Sequence, residues 1–508
     1  MKNQLKRMLA GVAALSVGAS ALLLTACAGS NRPAVRPVTR ITTPGDAGIL
    51  LDGDTADWPS DVVITADPNY LYLRFSPGQA YTLQAANVTT SILLDVDADK
   101  GTGEGSSLAP FDQMGVDLEL EFSPRQGAAI KNGVYAHTVD SQGRRTPIQI
   151  QDLDLTCTPT YAATWYELRI SRTPENAGLL PRGGLLSSGR VTGVFATRDG
   201  NGKVTGYSDP FSADVGPASA GTVLGRADLP GKPAGAVRVM AYNVEKSGPL
   251  SQPEVFRRVF AAVRPDVVLI SEWEQGDAES VQGWFAAMVG EGSWNVVKAP
   301  GDNASGGGVA VVSRWPLTPL LKNSVTRPGS DGNGTRPVRF IGATIVTPMG
   351  DVVAAATHLK CCGTMDSSED RTRLAEAKAI NAAVGAALAE LPATTLRVIG
   401  GDFNLVGSRP PLDLLRAGLD SDGSDLSVAM PVVLGDRTVT TWRDPKSGFG
   451  PGRLDYLLFS DANAEVANAF VLDTWRLSDE SLARIGLDRT DTEVSDHLPV
   501  IVDLMPRR

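Results

Sequence analysis

Only three histidines occur in the 508 residues, and two of them fall inside short polar motifs that close apolar runs. In chain order, "YNVE" presents Asn243, "LISEWE" Glu272, "ATHLK" His358, "GGDFN" Asp402 and Asn404, "GRLDYLL" Asp455, and "VSDHLPV" Asp496 and His497. Carboxylates, carboxamides and imidazoles are the groups that align water, move protons and offer oxygen to hard cations. In "VIGGDFNL", Asp402 and Asn404 stand two apart on extended backbone, so both can face one pocket while Phe403 faces away and packs. Gly400 and Gly401 allow a sharp turn or a close approach to substrate. Alone, the stretch reads as an Asx-turn after a strand. Beside the other motifs it reads as part of a catalytic constellation.

These residues need strands that end together. From Val237 onward, short apolar strands alternate with helical patterns. "VRVMAYNV" and "PDVVLISEWE" read as strands separated by the helix "PEVFRRVFAAVR". "RFIGATIVT" and "DVVAAATHL" read as a hairpin across Pro348-Met349-Gly350, and "RTRLAEAKAINAAVGAALAEL" as a long helix before the strand "TLRVIGGDFNL". Strands and helices mixed in one unit imply an α/β sandwich. Each polar motif falls at a strand end, where a scaffold usually displays catalytic groups.

The order and context of the motifs over 237–508 resemble the endonuclease/exonuclease/phosphatase superfamily, the DNase I-like fold shared by nucleases, neutral sphingomyelinases and inositol-phosphate phosphatases. "SRWPL" and Thr441-Trp442 fit the same pattern. The resemblance implies a four-layer α/β sandwich, two β-sheets flanked by helices, with the site where strand ends meet. It implies hydrolysis of a phosphoester, which needs a cation to offset developing charge, a group to position water, and donors for phosphoryl oxygens. By resemblance, Glu272 binds the metal, with Asn243 and Asp496 flanking the same ion. These oxygen donors suit Mg²⁺ or Mn²⁺. Asp402 positions the attacking water and Asn404 donates to phosphate. His497 contacts the phosphate or acts as base, Asp455 fixes its tautomer, and His358 donates to phosphate or protonates the leaving group. Glu274 competes with Glu272 for the metal role; the register of "ISE" favours Glu272.

Residues 46–213 lack any long helical period. "YLYLRFS", "SILLDVD", "VDLELEFS", "WYELRIS" and "VTGVFATRD" alternate or are β-rich, which predicts an all-β sandwich preceding the α/β half. "LDGDTADWP", "LLDVDADKGTGEG" and "GVDLELEF" resemble family-9-like carbohydrate-binding sandwiches, which implies a possible glycan partner. Asp95, Asp97 and Asp99 alternate in one loop and would suit a structural Ca²⁺, although the run is not an EF-hand. Residues 214–236, rich in Gly, Pro and Ala, read as a linker.

The first 26 residues read as a signal peptide, with Lys2, Lys6 and Arg7 before an apolar run. Leu24-Thr25-Ala26-Cys27 resembles the bacterial lipoprotein box, which implies lipidation of Cys27, a tether over 27–45 and a place in the cell envelope, with the outer membrane favoured. Cys361 and Cys362 are adjacent: a vicinal disulfide and two thiols both remain open, and Cys157 has no obvious partner.

The net charge of −10 argues against an extended duplex-binding surface. Residues 237–508 carry 27 Lys/Arg against 34 Asp/Glu, a net of −7, so the catalytic half is itself acidic. The expected activity is that of an exported, lipid-anchored, monomeric phosphoesterase. A phosphodiesterase or nuclease is favoured over a phosphomonoesterase or a sphingomyelinase-like enzyme. The reading from another class is a surface glycan-binding protein whose phosphoesterase half is inert.

Overall fold

A computed structural model describes residues 48–105, 114–126, 129–174, 189–201, 203–219, 228–290, 292–329, 333–348 and 350–507. The signal, Cys27, the tether over 27–45 and part of the 214–236 stretch lie outside the described residues. All described residues belong to one compact unit, Arg32–Arg508.

The N-terminal half is all-β, as its alternating segments require. A four-stranded antiparallel sheet runs Ile64–Ala66, Tyr70–Phe75, Tyr166–Ser171, Thr156–Thr158. It packs on a seven-stranded sheet built around Thr89–Asp95, Leu118–Phe122, Val134–Val139 and Gly189–Arg198. Between the two sheets lie Leu71, Leu73, Phe75, Ile92, Leu94, Leu120, Phe122 and Leu168.

From Val237 the chain forms two facing sheets. One is ordered Asn295–Lys298, Ala310–Ser313, Val267–Ser271, Val237–Asn243, Val500–Pro506, Ala464–Val471, Val432–Val433. The other is ordered Leu317–Pro319, Phe340–Thr347, Gly350–His358, Leu396–Asp402, Asp455–Phe459, Ser427–Val428. Val239, Leu269, Val311, Ala354, Val398, Leu457 and Val502 fill the space between them. Their strands are apolar on both faces because helices cover the outer sides. Phe256 and Phe260 of the helix Pro253–Val263 and Phe285 of Ala278–Met288 pack on Tyr242, Ile270 and Trp273. Ile380 of Ser368–Leu388 and Leu412 of Pro410–Arg416 pack on Val353, Ala355 and Tyr456. The architecture is a four-layer α/β sandwich preceded by an all-β domain.

The register brings the motifs together. Val237–Asn243 pairs in parallel with Val267–Ser271, so Asn243 and Glu272 leave the first sheet side by side. In the second sheet His358 is opposite Asp402, and Asp402 is opposite Asp455. No helix among the described residues is long and apolar enough to cross a membrane.

Candidate active site

The site is assembled around Asp402. This carboxylate is buried, and its Oδ1 accepts from the Asn404 amide at 2.9 Å. Its Oδ2 accepts from Asn404 Nδ2 at 2.9 Å and from Asn243 Nδ2 at 3.2 Å. Asn243 Nδ2 also reaches Glu272 Oε1 at 3.2 Å, while Asn243 Oδ1 accepts from the Glu245 amide at 3.1 Å. Asn243 is therefore a hydrogen-bond bridge between two carboxylates here, and its oxygen could ligate a cation only after the amide turned over. Glu272 and Asn404 hold φ of 63° and 48°, left-handed values that non-glycine residues adopt at a cost and that cluster at functional sites.

Both histidines reach Asp402 Oδ2. His497 Nδ1 lies 2.7 Å from Asp455 Oδ2, and its Nε2 is 3.7 Å from Asp402 Oδ2. Burial alone would favour the neutral ring, but Asp455 and then Asp402 outweigh it and push His497 up to about 10. Burial, with Asp455 and Glu272 nearby, raises Asp402 to about 7 against the pull of His497. His358 Nε2 is 3.3 Å from Asp402 Oδ2 and 3.9 Å from Glu272 Oε1. Burial, then the Arg339 guanidinium, holds His358 well below the usual imidazole value, so it is neutral. The two rings thus carry opposite proton states, an arrangement that can separate acid from base duties.

Asp496 stands one residue before His497, its Oδ2 accepting from Trp442 Nε1 at 2.9 Å. Asp455 faces His497 rather than Arg453, whose guanidinium lies over the Tyr456 ring and donates to Ala429 O at 2.7 Å. Glu274 holds Asn303, which leaves Glu272 as the glutamate of the constellation. All the expected catalytic-half residues therefore share one neighbourhood.

The glycine pair has a packing role. A Cβ on Gly400 would overlap Leu457 Cδ2 and come 2.9 Å from Leu269 Cδ1, so the two sheets could not close. Gly401 holds φ of 130°, and a Cβ there would strike Thr357 O. Phe403 is buried and stacks on Tyr456 at 5.5 Å.

Three contributors had weak sequence signals. Arg339 places Nη1 3.3 Å from His358 Nδ1 and donates Nη2 to Leu359 O at 2.6 Å. In the sequence Arg339 stands only as one of several basic residues near the motifs that could bind flanking phosphates. Thr441 Oγ1 accepts the Asp455 and Leu454 amides, both at 2.9 Å. Trp442 pairs with His497 through an isolated bridge. The "TW" dipeptide was the only trace of the last two.

Oxygen donors dominate the centre, and the ligand atoms of Asp402, Asp455 and His497 lie within 4.8 Å of one another. Asp455 Oδ1 is buried without a hydrogen-bond partner. These carboxylates, with Glu272 linked to Asp402 through Asn243, give an oxygen-rich lining that fits a hard divalent cation, although the gathered set differs from the expected Asn243, Glu272 and Asp496.

The family model described as Endonuclease/Exonuclease/phosphatase matches residues 240–497, just over half of the chain. The chain belongs to the endonuclease/exonuclease/phosphatase family. Members of this family are metal-dependent phosphoester hydrolases, and so is this protein. Among solved structures, the catalytic domain of human nocturnin with bound sulfate is 18% identical over 55% of this chain and 97% of its own, with a TM-score of 0.37. An AP endonuclease from Archaeoglobus fulgidus is 15% identical, covering 52% and 98% at a TM-score of 0.34. Beta toxin from Staphylococcus aureus is 17% identical, covering 52% and 99% at 0.33. No curated protein matches the chain.

In the β-sandwich, Asp95 and Asp97 gather with Asp117, not with Asp99. Asp99 Oδ1 instead accepts the Gly101 amide at 2.9 Å. Each gathered carboxylate already has a backbone donor: Ala98 N and Gly115 N on Asp95, Asp99 N on Asp97, and Val96 N on Asp117, with the Thr102 hydroxyl between Asp97 and Asp117. Asp117 was invisible to local reading because it lies 20 residues beyond Asp97 on the neighbouring strand. Of the sandwich aromatics, Trp58 and Tyr72 are buried and Tyr70 is half-buried, while Trp165 is 38% exposed and lies beside Arg74. Cys157, Cys361 and Cys362 are all free thiols.

Proposed function

We propose that this family member is an exported, lipid-anchored phosphodiesterase that uses Mg²⁺ or Mn²⁺. The observation carrying the reading is the convergence on Asp402 Oδ2 of His497, paired with Asp455 at 2.7 Å, and of His358, with Nε2 atoms 3.7 and 3.3 Å away. A bound divalent cation, held by Glu272 and Asp496 with Asn243 beside them, would supply charge compensation at the phosphoryl oxygens. Asp402, raised toward neutrality, positions and accepts a proton from water. Asn404 Nδ2 gives its hydrogens to Asp402 Oδ2 and Leu359 O, and would donate to a phosphoryl oxygen by exchanging one of these bonds. Protonated His497 offers Nε2–H to the phosphate, and Arg339 adds positive charge behind His358. The acidic catalytic half supports a small or single-stranded diester over an extended duplex.

The test is a substrate panel on the purified chain with Mg²⁺: bis-nitrophenyl phosphate, nitrophenyl phosphate, plasmid DNA and sphingomyelin, with Asp402→Ala as control. The expected result is diester cleavage that chelation abolishes and that Asp402→Ala lowers at least ~10²-fold. Cleavage of the monoester alone would replace the diesterase reading. No cleavage with any divalent ion would favour the glycan-binding alternative. Anchoring is checked by mass spectrometry of the N-terminus: Cys27→Ser is expected to release the protein from membranes.

A further inference from the structure

The β-sandwich touches the catalytic half at the loops that leave the catalytic strands. Thr160 Oγ1 donates to Leu405 O at 2.7 Å, with Arg453 O at 3.2 Å as a second acceptor. Leu405 follows Asn404, and Arg453 lies two residues before Asp455. Thr82 Oγ1 donates to Gly407 O at 3.2 Å and accepts the Met365 amide at 3.0 Å; the Ala162 amide also reaches Gly407 O, at 2.9 Å. Val134 N donates to Gly448 O at 2.8 Å, and Gln84 Oε1 accepts the Gly450 amide at 2.7 Å. The surfaces meet without room to spare: a Cβ on Gly133 would overlap Gly448 O, and one on Gly452 would overlap Thr160 Cγ2.

The same segment is also gripped at its start. Leu51 N donates to Arg437 O at 2.9 Å, and Val439 N to Leu51 O at 3.3 Å. Arg169 Nη2 donates to Asp436 Oδ2 at 2.7 Å. Residues 436–453 are therefore held near both ends by the sandwich, at 436–439 and at 448–453. Within that segment Thr441 carries the Asp455 amide, Trp442 binds Asp496, and Trp442 bridges to His497 and Gly452.

We infer that the N-terminal sandwich is a built-in wall of the active site, and that Thr160 is a positioning residue for the Asp402 and Asp455 strand ends. Backbone carbonyls of a loop that leaves a strand must find donors. Here the sandwich supplies them, so the loop conformation, and through Thr441 and Trp442 the His497–Asp455 geometry, depends on a domain distant in sequence. This differs from a module that binds a ligand from the end of a linker. Its kinetic consequence rests on the phosphodiesterase reading; its structural core does not.

The test uses the full chain with Thr160→Val, Thr160→Ser and Gln84→Leu. Hydrogen exchange of the 448–455 amides is read against the Val267–Ser271 strand, together with kcat and KM on bis-nitrophenyl phosphate with Mg²⁺. Thr160→Val and Gln84→Leu are each expected to speed exchange at 448–455 about tenfold and leave the reference strand unchanged. Thr160→Val lowers kcat about tenfold with KM within twofold, and Thr160→Ser, which keeps the hydroxyl, restores both. Unchanged exchange in both Thr160→Val and Gln84→Leu overturns the inference. Faster exchange with unchanged kcat overturns the positioning role of Thr160. If the wild-type chain cleaves no phosphoester, the phosphodiesterase reading fails, and the exchange result still decides whether the sandwich holds the segment.

Discussion

Asp436→Asn isolates one charged link between the two halves. Asp436 is buried and accepts from both terminal nitrogens of Arg169, which is fully buried; Arg476 Nε lies 3.2 Å from its Oδ2. Although burial opposes the charged form, Arg169 and Arg476 hold the Asp436 carboxyl well below the usual carboxylate range. Asparagine keeps the shape but removes the charge, leaving Arg169 with Asp154 at 3.7 Å as its remaining ion partner. Removing one member of a buried pair costs ~3–5 kcal/mol, because the partner stays buried and uncompensated. With a urea slope of ~3 kcal/mol per molar, the unfolding midpoint falls by roughly 1–1.7 M. Tryptophan fluorescence against urea, at several pH values, measures it. Because the folded-state carboxyl is depressed, the wild-type advantage is full above about pH 4 and is lost as the pH falls below it. Equal midpoints for the two proteins at pH 7 would refute the assignment of this network as a stabilising tie.

Other outcomes follow from the same structure. Gly401→Ala forces a side chain into a left-handed position against Thr357 O, and soluble yield and melting temperature are expected to fall, with a cost of at least ~2 kcal/mol in urea unfolding. Asp455→Asn breaks the 2.7 Å contact that orients His497, and kcat on the diester is expected to drop ~10²-fold or more while the chain keeps its far-ultraviolet circular dichroism. Burial raises Glu167 to about 8 despite hydrogen bonds from Trp58 and Gly53. Its stabilising contribution is present at low pH and is lost as the pH rises toward 8, so Glu167→Gln should gain on the wild type in urea midpoint between pH 5 and 9. A constant difference would contradict that placement of Glu167.

The catalytic half was legible because its signals are local. Asn243, Glu272, His358 and Asp402 close short apolar strands while Asp455 opens one and His497 precedes one, and strand period and strand end can be read from a few neighbouring residues. The sandwich strands were legible for the same reason: Tyr70–Phe75 and Tyr166–Ser171 follow the runs from which they were expected. Helix ends were less so. The long helix begins at Ser368, capped by Ser367, ahead of the Arg371 where its amphipathic pattern starts.

Sequence pattern determined the mixed α/β half and the all-β half before it, and the family resemblance implied the two sheets and the set of side chains that meet at Asp402. Tertiary structure decided what those side chains do to one another. Gly400 is required by Leu457 and Leu269 of other strands, Asp117 joins Asp95 and Asp97 across a hairpin, and Asn243 turns its nitrogen toward two carboxylates. Thr160 meets Leu405 across 245 positions of chain. Periodicity encodes which face of a strand is apolar, but a contact between distant segments depends on how whole faces pack, and no local pattern records it.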